Sequence, residues 1–482
     1  MIVEKNNNII TNFLWKFAEK CGAQIVQAIV TVVLARMLMP EVYGTVAIVA
    51  VLVNILNVFV DSGLGNALIQ KKNADDLDFS SVFYFNMVIS LIIYLLLFLC
   101  APALSVFYKI PQLCSIIRVL GLVIIISGVK NVQQAYVAKH MLFKKFFVAT
   151  LIGTVMSAAV GILMAYYGFG VWALVAQTLT NLFMDTLILW VTVGWRPKLL
   201  FSKKNLVPLL SFGWKLLASS LLDNLYNNLR QLLIGKLYSA EDLAYYSRGK
   251  QFPELVTTSI HSSIDSVLLP VMAKEQDNRG LVKEMLRKAI KTSIYFMAPL
   301  MMGLIAIARP LIDVLLTEKW MDSVLFMRVF CITYMFYPVH SSNLNAIKSL
   351  GRSDVFLKLE IKKKILGFAL LIISVQYGVM AIAYSIIVSD LLAIIINAHP
   401  NKRLLDYGYF QQMKDILPNI IMAIIMAISI SPISLLNLPN IVILLLQIIL
   451  GMLIYVTESF ILKDETFYYL YSIIKGKIRS ME

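Results

Sequence analysis

The sequence predicts an all-α polytopic membrane protein of about fourteen spanning helices, with two pseudo-symmetric six-helix lobes and a C-terminal pair. Three observations predict it. Hydrophobic residues make up 59% of the chain and charged residues only 15%, with a mean hydropathy of +0.78; soluble domains are about 45–50% apolar and about 25% charged. Apolar runs near or above the ~20 residues that a bilayer demands recur along the whole length. Lys and Arg, which give a formal net charge of +15, lie between those runs rather than in one patch. That pattern fits anchoring to an anionic inner leaflet and argues against nucleic acid as a partner.

The first run, 10–36, carries Lys16, Lys20 and Gln27 within about 40° of arc, with Glu19 one turn from Lys16. The second, 41–68, holds Asp61-Ser62 near its end, and the third is 79–107. Arg118 and Lys130 charge the fourth, 112–137; the fifth is 147–167. In the sixth, 170–194, Gln177, Asn181 and Asp185 step down one face. The seventh, 209–237, has the length of a span but carries Lys215, Asp223 and Arg230. On it Ser219, Ser220, Asp223, Asn227 and Arg230 fall within roughly 100° of arc. The eighth, 243–271, has Arg248 and Lys250 in its outer part and Asp265-Ser266 further on. Then come 288–316, 320–347 and 359–377, and 379–399, where Asp390 and Asn397 share a face. The last two, 415–436 and 440–462, are mostly apolar.

Lys and Arg cluster after the even-numbered runs, as at Lys139, Lys144 and Lys145, or Lys362, Lys363 and Lys364. After odd-numbered runs only Arg36, Lys109, Lys236, Arg309 and Lys319 appear. The even connections and both termini are therefore expected to face the cytoplasm. The outward connections are hardly more than turns, too short for an extracytoplasmic domain. The longest cytoplasmic connection, about 272–287, runs into LVKEMLRKAIK, a basic amphipathic stretch expected to lie along the inner surface. No P-loop is present, which argues against ATP hydrolysis, and no short apolar stretch precedes a small-residue cleavage site. Cys21, Cys100, Cys114 and Cys331 lack metal-ligand spacing and read as small buried hydrophobes, with a Cys100–Cys114 bridge as the alternative.

The chain also repeats itself. Asn12-Phe13-Leu14-Trp15-Lys16 opens the first run and Ser211-Phe212-Gly213-Trp214-Lys215 the seventh. Asp61-Ser62 is answered by Asp265-Ser266, and Asp185 by Asp390. Six helices separate the copies, so both halves begin on one side, as in a parallel repeat with a central site between halves. The expected division is 1–200 and 201–408 for the lobes, then 409–482 for the terminal pair and tail.

An ionisable side chain costs about 2.5–3.5 kcal/mol at a helix centre on insertion scales, so such groups face a bundle interior or a water-filled cavity. Arg230, Lys215 and Arg118 lie at least a turn inside their spans. Lys16 and Lys130 are close enough to an end to snorkel, and Arg36, Arg248 and Lys250 to anchor an interface. Asp185 and Asp390 serve either ion coupling or helix–helix hydrogen bonding; Asp61 and Asp265 read as packing anchors. A cavity richer in Arg and Lys than in carboxylates suits an anion, and a diphosphate matches the guanidinium fork. A lipid-linked phosphate places its head in that cavity and leaves its tail in the bilayer.

The runs LARMLMPEVYG (34–44), FVDSGLGNALIQ (59–70), GVWALVAQ (170–177), AYYSRGKQFP (244–253) and LLPVMAKEQD (268–277), with WRP at 195–197, resemble the Wzx-type, WzxC-like polysaccharide flippases of the MATE-related MOP superfamily. The match is good over roughly the first 280 residues and weaker later. Gly249 stands where relatives often have alanine. The resemblance implies alternating access in the bacterial inner membrane, without enzymatic activity or a cofactor. The substrate it implies is an undecaprenyl-diphosphate-linked oligosaccharide, moved to the outer leaflet and coupled to an ion gradient. It assigns the diphosphate to Arg230, Lys215 and Arg118, and less directly to Lys16, Lys20 and Lys130. Asp223, Asn227, Glu19, Asp185 and Asp390 remain for ion coupling or a polar cavity. Its partners would be membrane lipids and the polymerase and glycosyltransferases of the same pathway. A multidrug or cation antiporter of the same superfamily is the alternative, disfavoured by the cationic seventh helix. A membrane-embedded polymerase is disfavoured by the short outer loops.

Overall fold

The computed structural model describes residues 22–472 apart from 25, 62 and 470. Among them no strand occurs. The helices are α1 (Gly22–Met37), α2 (Pro40–Asp61), α3 (Leu64–Gln70), α4 (Asp76–Tyr108), α5 (Leu113–Leu120), α6 (Leu122–Lys139), α7 (Phe143–Tyr166) and α8 (Val171–Thr192). They continue with α9 (Lys203–Leu237), α10 (Ala240–Lys274), α11 (Arg279–Leu316), α12 (Ser323–Met335), α13 (Tyr337–Ser349), α14 (Ser353–Ser374), α15 (Val379–Leu405), α16 (Tyr409–Ile430) and α17 (Asn440–Ile461). Ten stretches of the described residues are long and apolar enough to cross a membrane, or up to eleven with the bent α9. The expectation of fourteen is thus not matched by apolar character alone. Helices α10 and α14 stand where spans are expected, but Arg248, Lys250 and Glu254 in one and Lys358 and Lys362–Lys364 in the other make them polar.

Contacts divide the chain into two compact units, Met1–Ala244 and Tyr245–Glu482. In unit one, α4 starts because Asp75 and Asp78 form a reciprocal capping box: Asp78 N donates to Asp75 Oδ1 at 2.9 Å, and Asp75 N to Asp78 Oδ2 at 3.2 Å. Asp78 is fully buried because Lys71 (2.6 Å) and Asn205 (3.0 Å) also bond it. The segment after α8 is strapped to this corner. Trp195 Nε1 donates to Asp76 Oδ1 at 3.1 Å, and the backbone NH groups of Lys198 and Ser202 donate to Ser80 and Ser81 Oγ at 3.0 and 2.9 Å. Phe79, Tyr136 and Trp195 pack there with centroids 5.5–5.9 Å apart. This corner is the end of unit one that carries the Lys- and Arg-rich connections, called the basic end below.

Helices α7 and α8 pair along small residues. Ala149, Gly153, Ser157, Gly161 and Ala165 recur every fourth position and are buried, so the backbones approach closely. A methyl group added at Gly153 would lie 3.1 Å from the Asn181 carbonyl oxygen. The α7–α8 turn needs glycine at 168 and 170, with φ of 79° and 54°.

In unit two α11 packs against α12, α13, α16 and α17. It corrects one expectation: LVKEMLRKAIK, 281–291, is no separate surface helix but lies in the opening turns of this 38-residue helix. Val282, Leu286 and Ile290 are fully buried, and the basic face beside them is paired across to neighbouring helices. Arg287 makes a two-pronged bond to Asp415 (2.6 and 2.7 Å), Lys283 pairs with Asp406 at 3.1 Å and Lys291 with Glu465 at 2.5 Å. The Lys291 hydrogen bond holds the Glu465 carboxyl below its ordinary range.

Below that face lies a fully buried amide cluster. Asn343 Oδ1 accepts from Asn401 Nδ2 at 2.6 Å and from Gln412 Nε2 at 2.9 Å, while Asn343 Nδ2 donates to Gln412 Oε1 at 2.8 Å. Asn343→Leu leaves Gln412 Oε1 buried without its donor, at about 1–3 kcal/mol, while Asn401 Nδ2 and Gln412 Nε2 keep backbone carbonyls at 3.3 and 3.2 Å. The expected outcome is a clearly lower melting temperature of the purified protein; an unchanged one would show that the cluster does not hold α13, α15 and α16 together.

The two units repeat a device. In unit one Asn131 on α6 donates to Asp61 on α2 at 2.7 Å; in unit two Ser341 and Asn345 on α13 donate to Asp265 on α10, the latter at 2.8 Å. The helices that donate are the second halves of broken spans, interrupted at Gly121 and at Phe336. Cys100, Cys114 and Cys331 are free thiols, so no Cys100–Cys114 bridge forms. Only Cys331 among them is buried, since the outer turns of α4 and α5 face outward. Cys21, and the run 12–16 that opens the repeat, lie outside the described residues.

Candidate functional site

The seventh expected span is α9. Ser202 caps it, accepting from Asn205 N at 3.3 Å. It bends by 44° between Ser211 and Gly213 and packs against α2, α3 and α4. Of its polar stripe, Ser219, Ser220, Asp223 and Asn227 are exposed, as is Lys215. Arg230 is different: only 8% of it is accessible, its Nε has no hydrogen-bond partner, and its guanidinium lies 5.8 Å from the Tyr226 ring centroid. Among the described residues no carboxylate pairs with Arg230 or with Lys215. With no counter-charge among the described residues, such a buried guanidinium is unfavourable on its own.

The other expected site residues are dispersed. Arg118, half-buried on α5, sits 4.3 Å over the Phe98 ring, and Tyr94 OH donates to its carbonyl oxygen at 3.2 Å. Such stacking contributes about 0.5–2 kcal/mol and supplies a structural role of its own. Lys130 on α6 forms an ion pair with Asp185 on α8, both side chains nearly buried. Two residues assigned to different roles in the sequence are thus one unit. The Gln177–Asn181–Asp185 face is a helix seam rather than an open wall: Asn181 Nδ2 donates to Ser157 Oγ at 3.2 Å. Asp390 is half-buried on α15, and Asn397 on the same helix meets His340 at 3.1 Å. Lys16, Glu19 and Lys20 lie outside the described residues.

A feature that residue patterns did not single out is a cavity of about 480 Å³ within unit one, at its basic end. It lies where the end of α2, α3, the second half of α6, the start of α7 and residues 216–224 of α9 converge. Among the described residues its polar lining is Asp61, Asn66, Asn131, Gln134, Ser220 and Asn224, with no Lys or Arg. The signal was in the sequence, in FVDSGLGNALIQ, but only the packing of five helices makes it a cavity. Among the described residues no cluster of three or more His, Cys, Asp or Glu is placed to hold a metal ion.

The succinoglycan biosynthesis transport protein ExoT of Rhizobium meliloti is 25% identical over 312 residues, which cover 65% of this chain and 63% of that protein, a little under two thirds. The lipopolysaccharide biosynthesis protein WzxC of Escherichia coli is 23% identical over 393 residues, covering 80% of this chain and 77% of its own. Among solved structures, the lipid II flippase MurJ in an inward closed conformation superposes with a TM-score of 0.74 at 17% identity, over 94% of this chain and 99% of that one. At that identity the likeness speaks for the fold. The family described as polysaccharide biosynthesis protein matches residues 33–325, more than half of the chain. The protein belongs to that family of polysaccharide biosynthesis proteins.

Proposed function

We propose that the chain is a flippase that carries a diphosphate-linked, undecaprenyl-anchored oligosaccharide from the inner to the outer leaflet of the bacterial cytoplasmic membrane. It works by alternating access, drawing on an ion gradient, and both termini are cytoplasmic. The observation that carries the reading is Arg230, a buried guanidinium without a carboxylate partner among the described residues, set in a membrane helix of a polysaccharide biosynthesis protein. A planar fork of donors matches two phosphate oxygens, and the low dielectric of a span strengthens the pair. Lys215, further along the same helix toward the basic end, supplies a second positive charge on the route. The Lys- and Arg-rich connections support the orientation.

Deletion of the gene is expected to leave the lipid-linked repeat unit on the cytoplasmic face. The test is extraction of membrane lipids and sizing of the accumulated oligosaccharide. Unchanged lipid intermediates together with raised sensitivity to cationic drugs would transfer the protein to the antiporter class.

A further inference from the structure

We propose that the cavity at the basic end of unit one is a subsite for the uncharged sugar residues of the substrate, separate from the groups that meet the diphosphate. The proposal rests on the export reading above and names the part of the substrate that this cavity takes. Its volume, about 480 Å³, is within the ~300–1,000 Å³ of small-molecule sites.

The chemistry of the lining selects the guest. A phosphate would want Lys or Arg, and none is among the described residues that line the cavity. The one carboxylate, Asp61, already accepts from Asn131 Nδ2 at 2.7 Å and is held against α6. What remains is a set of neutral groups: the side chains of Asn66 and Gln134, the Ser220 hydroxyl and the Asn224 amide. Asn224 donates one amide hydrogen to the Ser220 carbonyl at 2.9 Å, and its second amide hydrogen and its oxygen remain for a ligand. The Asn66 and Gln134 side chains make no hydrogen bond to other described residues. Amides and hydroxyls both donate and accept, which is what a ring of sugar hydroxyls requires. Phe143 and Phe146 add apolar surface on one side, suited to the CH face of a pyranose.

The backbone is shaped to leave this room. Gly63 adopts φ 67°, and a methyl group there would lie 2.9 Å from Leu216 Cβ, so α3 meets α9 closely below the cavity. The run that carries much of the family resemblance, FVDSGLGNALIQ, thus supplies Asp61, Gly63, Gly65, Asn66 and Ile69 to the lining. Neither the diphosphate nor the helix seams account for its polar groups.

The test compares two probes on purified full-length protein: undecaprenyl diphosphate alone, and the lipid-linked repeat unit extracted from a strain lacking this exporter. Gln134→Leu removes a donor–acceptor pair, and Ser220→Trp fills the cavity. In each variant the affinity for the oligosaccharide-bearing lipid is expected to fall at least about tenfold relative to undecaprenyl diphosphate. An equal fall for both probes, or no fall for either in a folded protein, would overturn the subsite. Wild-type protein that binds neither lipid would overturn the export reading and, with it, the subsite. Binding of both lipids at equal strength by the wild type would sink the subsite alone.

Discussion

Arg230→Ala is expected to reduce surface polysaccharide roughly ten- to hundredfold while the amount of inserted protein stays the same. Charge-assisted hydrogen bonds contribute about 1.5–3 kcal/mol, and every ~1.4 kcal/mol is a factor of ten. The usual objection to such a variant is misfolding, and here it is weak. Arg230 has no carboxylate partner among the described residues to be left stranded, and the Tyr226 ring centroid lies 5.8 Å from its guanidinium. Removing a buried, uncompensated charge costs the fold little and can stabilise it. Arg230→Lys keeps the charge and loses the fork, so it should fall between wild type and alanine. Normal polysaccharide in Arg230→Ala, at equal protein level, would remove this side chain from the mechanism.

Lys130→Ala is expected to act in the opposite way, by destabilising the protein. It leaves the Asp185 carboxylate nearly buried beside the α7–α8 seam with its counter-charge gone; breaking such a pair costs about 3–5 kcal/mol. Asp185 Oδ1 is already without a hydrogen-bond partner, so nothing near it takes up the loss. Replacing both residues together, as Lys130→Met with Asp185→Leu, should restore most of the lost stability. The measurements are protein level in the membrane and melting temperature in detergent. If the double variant also exports polysaccharide normally, the pair is a helix clamp; if it folds and exports nothing, the pair takes part in transport. A Lys130→Ala protein as stable as wild type would show that the ion pair does not hold α6 to α8.

Much of the architecture was legible in the residues. Spans of the right length stand out because a bilayer rewards unbroken apolar runs; the capping box at Asp75 and Asp78 that starts α4 went unread, although its chemistry is local. The internal repeat was legible too, and Asp61 and Asp265 were read as packing anchors; each accepts hydrogen bonds from a neighbouring helix. The surface stretch expected at 281–291 was misread because a basic amphipathic pattern looks the same whether its charges face a membrane or meet Asp406, Asp415 and Glu465 on neighbouring segments.

By itself the sequence determined that the chain crosses a membrane many times, that its basic connections lie at one end, and that positive side chains are sunk in the spans. Only the tertiary structure decided what those side chains meet. Arg118 lies on Phe98, Lys130 is paired with Asp185, Arg230 is buried with its Nε unpaired, and six polar residues from four helices line a cavity with no Lys or Arg among the described residues around it. The reason is geometric. Periodicity fixes which residues share one helix face, but the rotation and register of neighbouring helices, set by small-residue seams such as Ala149 to Ala165, fix what that face touches.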